Sequence, residues 1–215
     1  MRRLTLLLAA GLVACAPTVH VPYDDPGADQ SQAGRRTVAH ETRPMFWQRP
    51  PRCVVVLPIA RANELDALDA RAIEAAAARH LSGRVDRVLG PMRRDRALRR
   101  LALSLDHPDD RRRFAAQTDC GHGVRLATEV RGGWALIWTE RQIGFAADLI
   151  DLRDDTVLWQ ARHTARRGGG GVPLSPLSLL MSAGVAAQLA TDEDVLPSLL
   201  DDALRRTLAT LPDTR

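Results

Sequence analysis

Residues 53–59 read Cys53-Val54-Val55-Val56-Leu57-Pro58-Ile59, a short and almost unbroken apolar run. That pattern predicts a strand buried on both faces. The period then changes. Over 64–81 the apolar positions Leu65, Leu68, Ala72, Ala75 and Ala76 recur at three and four, which predicts a helix with Asn63 placed to cap it. Gly83 ends that helix, and residues 85–89 predict a second strand. A helix over 93–105 carries Leu98, Leu101, Ala102 and Leu105 on one face. His107-Pro108 breaks it, and Asp109-Asp110 open a short helix through Gln117, acids being favoured at an amino end.

Beyond residue 120 the period becomes that of strands. Residues 124–130 form one, Arg131-Gly132-Gly133 reads as a turn, and Trp134-Ala135-Leu136-Ile137-Trp138 reads as the next. Residues 143–152 and Val157-Leu158-Trp159 flank Asp154-Asp155, as the arms of a hairpin flank its loop. Arg166-Arg167 and the glycines at 168–171 read as a flexible break. Two helical stretches close the chain, at 177–189 and 194–211, with Asp192 as a cap between them. The order β-α-β-α-β-β-β followed by helices predicts an α/β (α+β) class, one mixed sheet with helices packed on it. No internal repeat is visible.

The amino-terminal fifth of the chain lacks such patterning. Residues 1–14 hold a basic head, Met1-Arg2-Arg3, then a brief apolar run and the small Ala14, which is the anatomy of an export signal. The run is far shorter than the ~20 apolar residues that cross a bilayer as a helix. Residues 15–50 contain Pro17, Pro22, Pro26, Pro44 and Pro50 without apolar periodicity, and read as a tether. As a random coil this tether would span about 33 Å root-mean-square, holding the domain well away from a membrane. The competing reading is that residues 19–23 and Met45-Phe46-Trp47 dock on the domain as an arm. The globular domain itself is expected over 51–215, with a helical tail at about 174–211.

Composition changes this picture little. A chain of 215 residues at 45% hydrophobic and 26% charged suits one domain plus a tether. All 30 basic residues are arginine, a bias of genome composition rather than a demand for guanidinium chemistry. The formal charge of +4 drops to +2 once Arg2 and Arg3 leave with the signal, too weak a field to argue for nucleic acid.

The sequence Leu12-Val13-Ala14-Cys15 resembles the lipobox of bacterial lipoproteins, in which the cysteine becomes the first mature residue. The resemblance implies a diacylglyceryl thioether and an acylated amine on Cys15, palmitate-like chains that exceed the two-anchor threshold for stable attachment. An ordinary secretory signal with a chance cysteine is the competing reading. Ala16 is not the aspartate that retains many lipoproteins at the inner membrane, so the analogy points to the outer membrane and a periplasm-facing domain.

The segment Ala147-Asp148-Leu149-Ile150-Asp151-Leu152-Arg153-Asp154-Asp155-Thr156-Val157-Leu158-Trp159-Gln160 carries a second likeness. It resembles the Asp-Leu, turn, Val-Leu-Trp hairpin of an envelope lipoprotein group. That group includes the curli-secretion lipoprotein CsgG, lipoprotein activators of penicillin-binding proteins, a neisserial surface lipoprotein and the TolB amino-terminal domain. Leu57-Pro58 matches the Leu-Pro step that ends their first strand, and the likeness spans roughly residues 53–166. It implies a non-enzymatic assembly, secretion or accessory role through contacts with envelope proteins, with a homo-oligomeric collar as one form. Where such hairpins usually carry glycine, this chain has Asp154-Asp155. CsgG itself inserts long strands as a pore. The sequence shows no long alternating strands to spare, so a transmembrane barrel is not expected.

Candidate chemistry is sparse. Cys53 precedes the first strand and Cys120 lies just before another, so a disulfide between them is expected if those strands are parallel neighbours. Two free buried thiols are one alternative. The other is an envelope enzyme using Cys120 and His122, a thiol two residues from an imidazole but without a flanking nucleophile motif. The six histidines show no ligand spacing, and there is no Walker loop or Gly-x-Ser-x-Gly elbow, so no cofactor, metal or catalytic set is expected. Arg93, Arg96 and Arg100 share one helical face. This is either a solvated surface or a docking face for acidic partners or anionic head groups. The tail offers Leu177, Leu180, Met181 and Gly184 on one face, and Leu196, Leu199, Leu200, Ala203, Leu204 and Leu208 on another, for core packing or for self-association.

Overall fold

The computed structural model describes residues 18–21, 38–59, 70–135, 138–170 and 195–215. Cys53–Val56 (β3) is the centre of its parallel part. Val54 and Val56 face one cluster of buried side chains, and Val55 and Leu57 face another. All are at most 6% exposed, as expected of a strand covered on both sides. Ala70–Leu81 (α2) buries Ile73, Ala76, Ala77 and Leu81, while Ala72 is exposed. The stripe expected from the alanine spacing is thus rotated by one position, because Ile73 and Leu81 carry more apolar area than the alanines and decide which face turns inward.

Arg87–Leu89 (β4) pairs parallel to β3, with Val54 opposite Val88. Pro91–Leu101 (α3) and Pro108–Thr118 (α4) follow, each with proline in its first turn. The left-handed Ala102 ends α3 before the expected residue 105. His122–Ala135 (β5) returns to the other side of β3, also parallel, with Val54 opposite His122. Trp138–Asp151 (β6) and Val157–Gly170 (β7) then run antiparallel. Val195–Leu208 (α5) buries Leu199, Leu200, Ala203, Leu204 and Leu208 in the same cluster as α2, so core packing holds for this face. His80 of α2 meets Asp201 of α5 at 3.0 Å. The sheet is single and mixed, in the order β1-β7-β6-β5-β3-β4, where β1 is Thr18–Val21 and β2, Ala39–Thr42, also pairs with β7. No described helix is long and apolar enough to cross a membrane.

Three expectations are corrected. First, the stretch expected as a tether supplies two strands and a helix. β1 pairs with β7 over Thr18↔Arg167 to Val21↔Thr164, and β2 over Ala39↔Arg162 to Thr42↔Trp159. Pro44–Gln48 (α1) buries Phe46 completely, which is the docked arm weighed as the alternative. The outer edge of β7 offers main-chain groups that any extended segment can satisfy, so apolar periodicity gave no warning.

Second, Arg131-Gly132-Gly133 is not a turn. Gly132 lies opposite Arg141 and Gly133 opposite Glu140, inside the ladder. The apolar run at 134–138 divides instead, with Ala135 ending β5 opposite Trp138 of β6. Glycine permits a turn but does not impose one when a partner strand is in register. Third, Gly168–Gly170 continue β7 against Glu140, Thr139 and Trp138 rather than forming a break. The outcome is three strands of 14 residues each, longer than the roughly 9–11 that span a bilayer. The expectation of no long strands therefore fails, and with it the argument drawn from strand length against a barrel. Cys15, the helix at 177–189 with Leu177, Leu180, Met181 and Gly184, and the caps Asn63 and Asp192 lie outside the described residues, as does the side chain of Leu196.

Candidate functional site

Two places in the fold gather the sequence candidates. At the start of β5 the parallel pairing with β3 brings Cys53 and Cys120 together, and they are bonded, with Cα atoms 4.8 Å apart. Both are buried. The sulfur of Cys120 is therefore committed to Cys53, and the thiol-imidazole pair considered with His122 is not present in this structure. His122 sits next to this bridge, directly opposite Asp151 of β6. Its imidazole is buried and its Nε2 has no hydrogen-bond partner among the described residues. Burial above all, aided by the Arg153 charge and opposed by Asp151, pushes its pKa below the ordinary 6.5. Gly123 packs so closely that a Cβ there would lie 2.9 Å from Leu152 and 3.2 Å from Leu57.

Asp151 is the buried centre of an ionic cluster at the same end. It accepts from Nη1 of Arg49 at 3.2 Å and from the main-chain N–H of Arg153 at 2.9 Å. Arg49 also reaches Asp154 at 3.0 Å, so the arm that begins at β2 is latched to the hairpin loop. The Asp154 carboxyl is held below its usual range by the hydroxyl and amide of Thr156 and then by Arg49. The loop solves the absence of glycine with Asp155, which adopts φ 59° and pairs with Arg111 of α4 at 2.6 Å. Arg49 itself is a residue that sequence reasoning did not single out. No periodicity marks it, because it lies at the end of a five-residue helix.

The second place is α3. Arg93, Arg96 and Arg100 are exposed, as is Arg99, and none has a hydrogen-bond or ion-pair partner among the described residues. Arg94 behaves differently. It is buried, 2.8 Å from Glu74 of α2, and donates to the carbonyl of Val56 at 2.8 Å. Glu74 in turn accepts from the amide of Ile59 at 3.0 Å, so the pair ties α2, α3 and the end of β3 together. The series Arg94, Leu98, Leu101, at i, i+4 and i+7, carried the signal that this arginine lies on the inward face. Beside the exposed arginines, an apolar groove of about 370 Å³ runs between α2 and the start of α3, lined by Ala75, Ala78, Val88, Pro91 and Met92 with Arg79 and Arg93. Met92 is 75% exposed. Among the described residues, no group of three His, Cys, Asp or Glu side chains could hold a metal ion.

No protein-family model matches the chain, and no curated protein matches it. Among solved structures it is similar to the PelC dodecamer of Paraburkholderia phytofirmans, at 20% identity and a TM-score of 0.48, covering 83% of this chain and 99% of that one. It is also similar to lipoprotein GNA1162 of Neisseria meningitidis, at 15% identity and 0.43, covering 66% of this chain and 100% of that one. Protein CT253 of Chlamydia trachomatis is similar at 13% identity and 0.38, over 74% of this chain and 96% of that one.

Proposed function

We propose that this chain is a lipid-anchored envelope lipoprotein, facing the periplasm from the outer membrane, that acts as a non-enzymatic assembly, secretion or accessory factor. The single observation that carries the reading is the Leu12-Val13-Ala14-Cys15 signal ahead of a disulfide-stapled α/β domain. A cysteine pair used as a cross-link suits an oxidising compartment, and an acylated Cys15 would hold the domain there. The hairpin at 147–160, with its likeness to the CsgG group, supports the same class of role.

The contact surface in this reading is α3. Long cationic side chains without partners among the described residues, beside an apolar groove, suit an acidic partner whose own apolar residues enter that groove. The test is capture of envelope proteins by the full chain and by its Arg96→Glu/Arg100→Glu variant. Loss of a captured band in the variant is the expected result. Identical capture by both proteins overturns α3 as the contact surface.

A further inference from the structure

We propose that the groove between α2 and α3 seats Trp47 of a second copy of this chain, so that copies associate head to tail. The proposal rests on the reading of α3 and its groove as the contact surface, and it names the partner. Among the described residues two large apolar side chains are exposed, Trp47 at 64% and Met92 at 75%. Met92 forms a wall of the groove, together with Ala75, Ala78, Val88 and Pro91. Trp47 belongs to α1, which is no part of that groove. One feature is a hollow and the other a projection.

The projection is held in place before any contact. Phe46 is fully buried and meets Trp47 edge to face, with ring centroids 5.0 Å apart, so the indole is carried on an anchored base. A side chain fixed in this way loses little freedom on binding. The groove suits that residue type. Its floor is apolar, its volume is about 370 Å³, and its rim carries Arg79 and Arg93, cations of the kind that stack on an indole face. Tryptophan, methionine and arginine are the residues that interface cores concentrate. The arm also brings an acid. Asp154, its side chain 44% exposed, is joined to the arm by Arg49, a cation it shares with the buried Asp151. A second copy thus presents an indole and a carboxylate together, to a groove that lies beside Arg96 and Arg100.

A chain cannot fill its own groove. The amide of Arg43 donates to the carbonyl of Leu158 in β7, and α1 starts one residue later. Val88 of the groove lies in β4, at the opposite limit of the sheet. β7 and β4 are four strand spacings apart, about 19 Å. From Arg43 to Trp47 the helix rises only about 6 Å. Projection and hollow are therefore unlike surfaces on different sides of the molecule. Their contact is heterologous, and each copy that gives an indole can also receive one. Contacts of this type build a closed ring or an open row.

The experiment measures the mass of the full chain in detergent by sedimentation. Trp47→Ala removes the projection and keeps the groove. Met92→Glu puts a charge in the groove and keeps the projection. Both residues are exposed, so neither change takes packing from the core. We expect the native chain to sediment as two or more copies, and each variant alone as one. An equimolar mixture of the variants has one intact contact per pair, and should sediment as two copies and no more. A native chain that stays single, a variant alone that associates like the native chain, or a mixture at any other mass overturns the proposal. The reading beneath it fails separately, when Arg96→Glu/Arg100→Glu captures the same envelope proteins as the native chain. A chain that loses capture in that variant yet never associates overturns this proposal alone.

Discussion

The two ends of β5 are built on different principles. At His122–Val124 the strand has β3 on one side and β6 on the other, and the Cys53–Cys120 bridge closes the layer. Asp151, the Arg49 latch and the Arg111–Asp155 pair add side-chain ties from three further elements. From Arg125 onward β5 keeps only β6, and no strand covers its other edge among the described residues. An open edge is a template for unwanted pairing, and the charged, exposed Arg125 and Glu129 blunt it. The other side of the ribbon is treated differently, since β1 and β2 together cover the edge of β7. Among the described side chains, the disulfide and these ion pairs gather at the Cys53 end of the strand.

Several measurements bear on that contrast. The largest effect is expected from Cys53→Ser/Cys120→Ser. The bridge closes a separation of 67 residues, worth about 4 kcal/mol in the chain-entropy account. Urea unfolding followed by fluorescence should show that loss, and a drop under 1 kcal/mol would mean that the stapled end owes its order to packing instead. Phe46→Ala comes next, at about 3 kcal/mol, because a fully buried aromatic is removed from a short helix that can partly collapse into the space. Hydrogen exchange should then quicken at Ala39–Thr42 before anywhere in β6. Unchanged exchange there would show that β2 is held by its ladder without the Phe46 anchor.

A smaller effect is expected with pH. The folded pKa of His122 lies below its ordinary 6.5, so the unfolded chain takes up the proton first. Stability from this group is complete above 6.5 and falls as pH drops through the interval down to the folded value. Urea midpoints measured on either side of pH 6.5 should diverge less in His122→Asn than in the native chain. Equal divergence in both would assign the pH dependence to other groups. The smallest stability effect, within about 0.5 kcal/mol, is expected for Arg96→Glu/Arg100→Glu, since neither side chain has a partner among the described residues. A larger loss would show that the α3 face is structural.

Much of the fold was legible in the chain. The run Val54-Val55-Val56-Leu57 marked a strand covered on both faces, and the spacing of Leu199, Ala203, Leu204 and Leu208 marked the helix that packs on it. The cysteine pair followed from the placement of Cys53 and Cys120 before parallel neighbours. The Asp151–Arg49 cluster was not legible, because it joins residues 102 apart through a hairpin and a short arm that have no shared period. The buried Glu74–Arg94 pair was visible only as charges interrupting two apolar faces.

The sequence by itself determined the alternation of strands and helices and the two cysteines available for a bridge. These depend on local period and composition, which a single segment carries. Tertiary structure alone decided where β5, β6 and β7 end, that a proline-rich stretch joins the sheet, and that the chain leaves Thr18 at the hairpin's end of the molecule. Those outcomes are set by main-chain pairing across strands, which is blind to side-chain type and accepts glycine or polar residues whenever a neighbour lies in register.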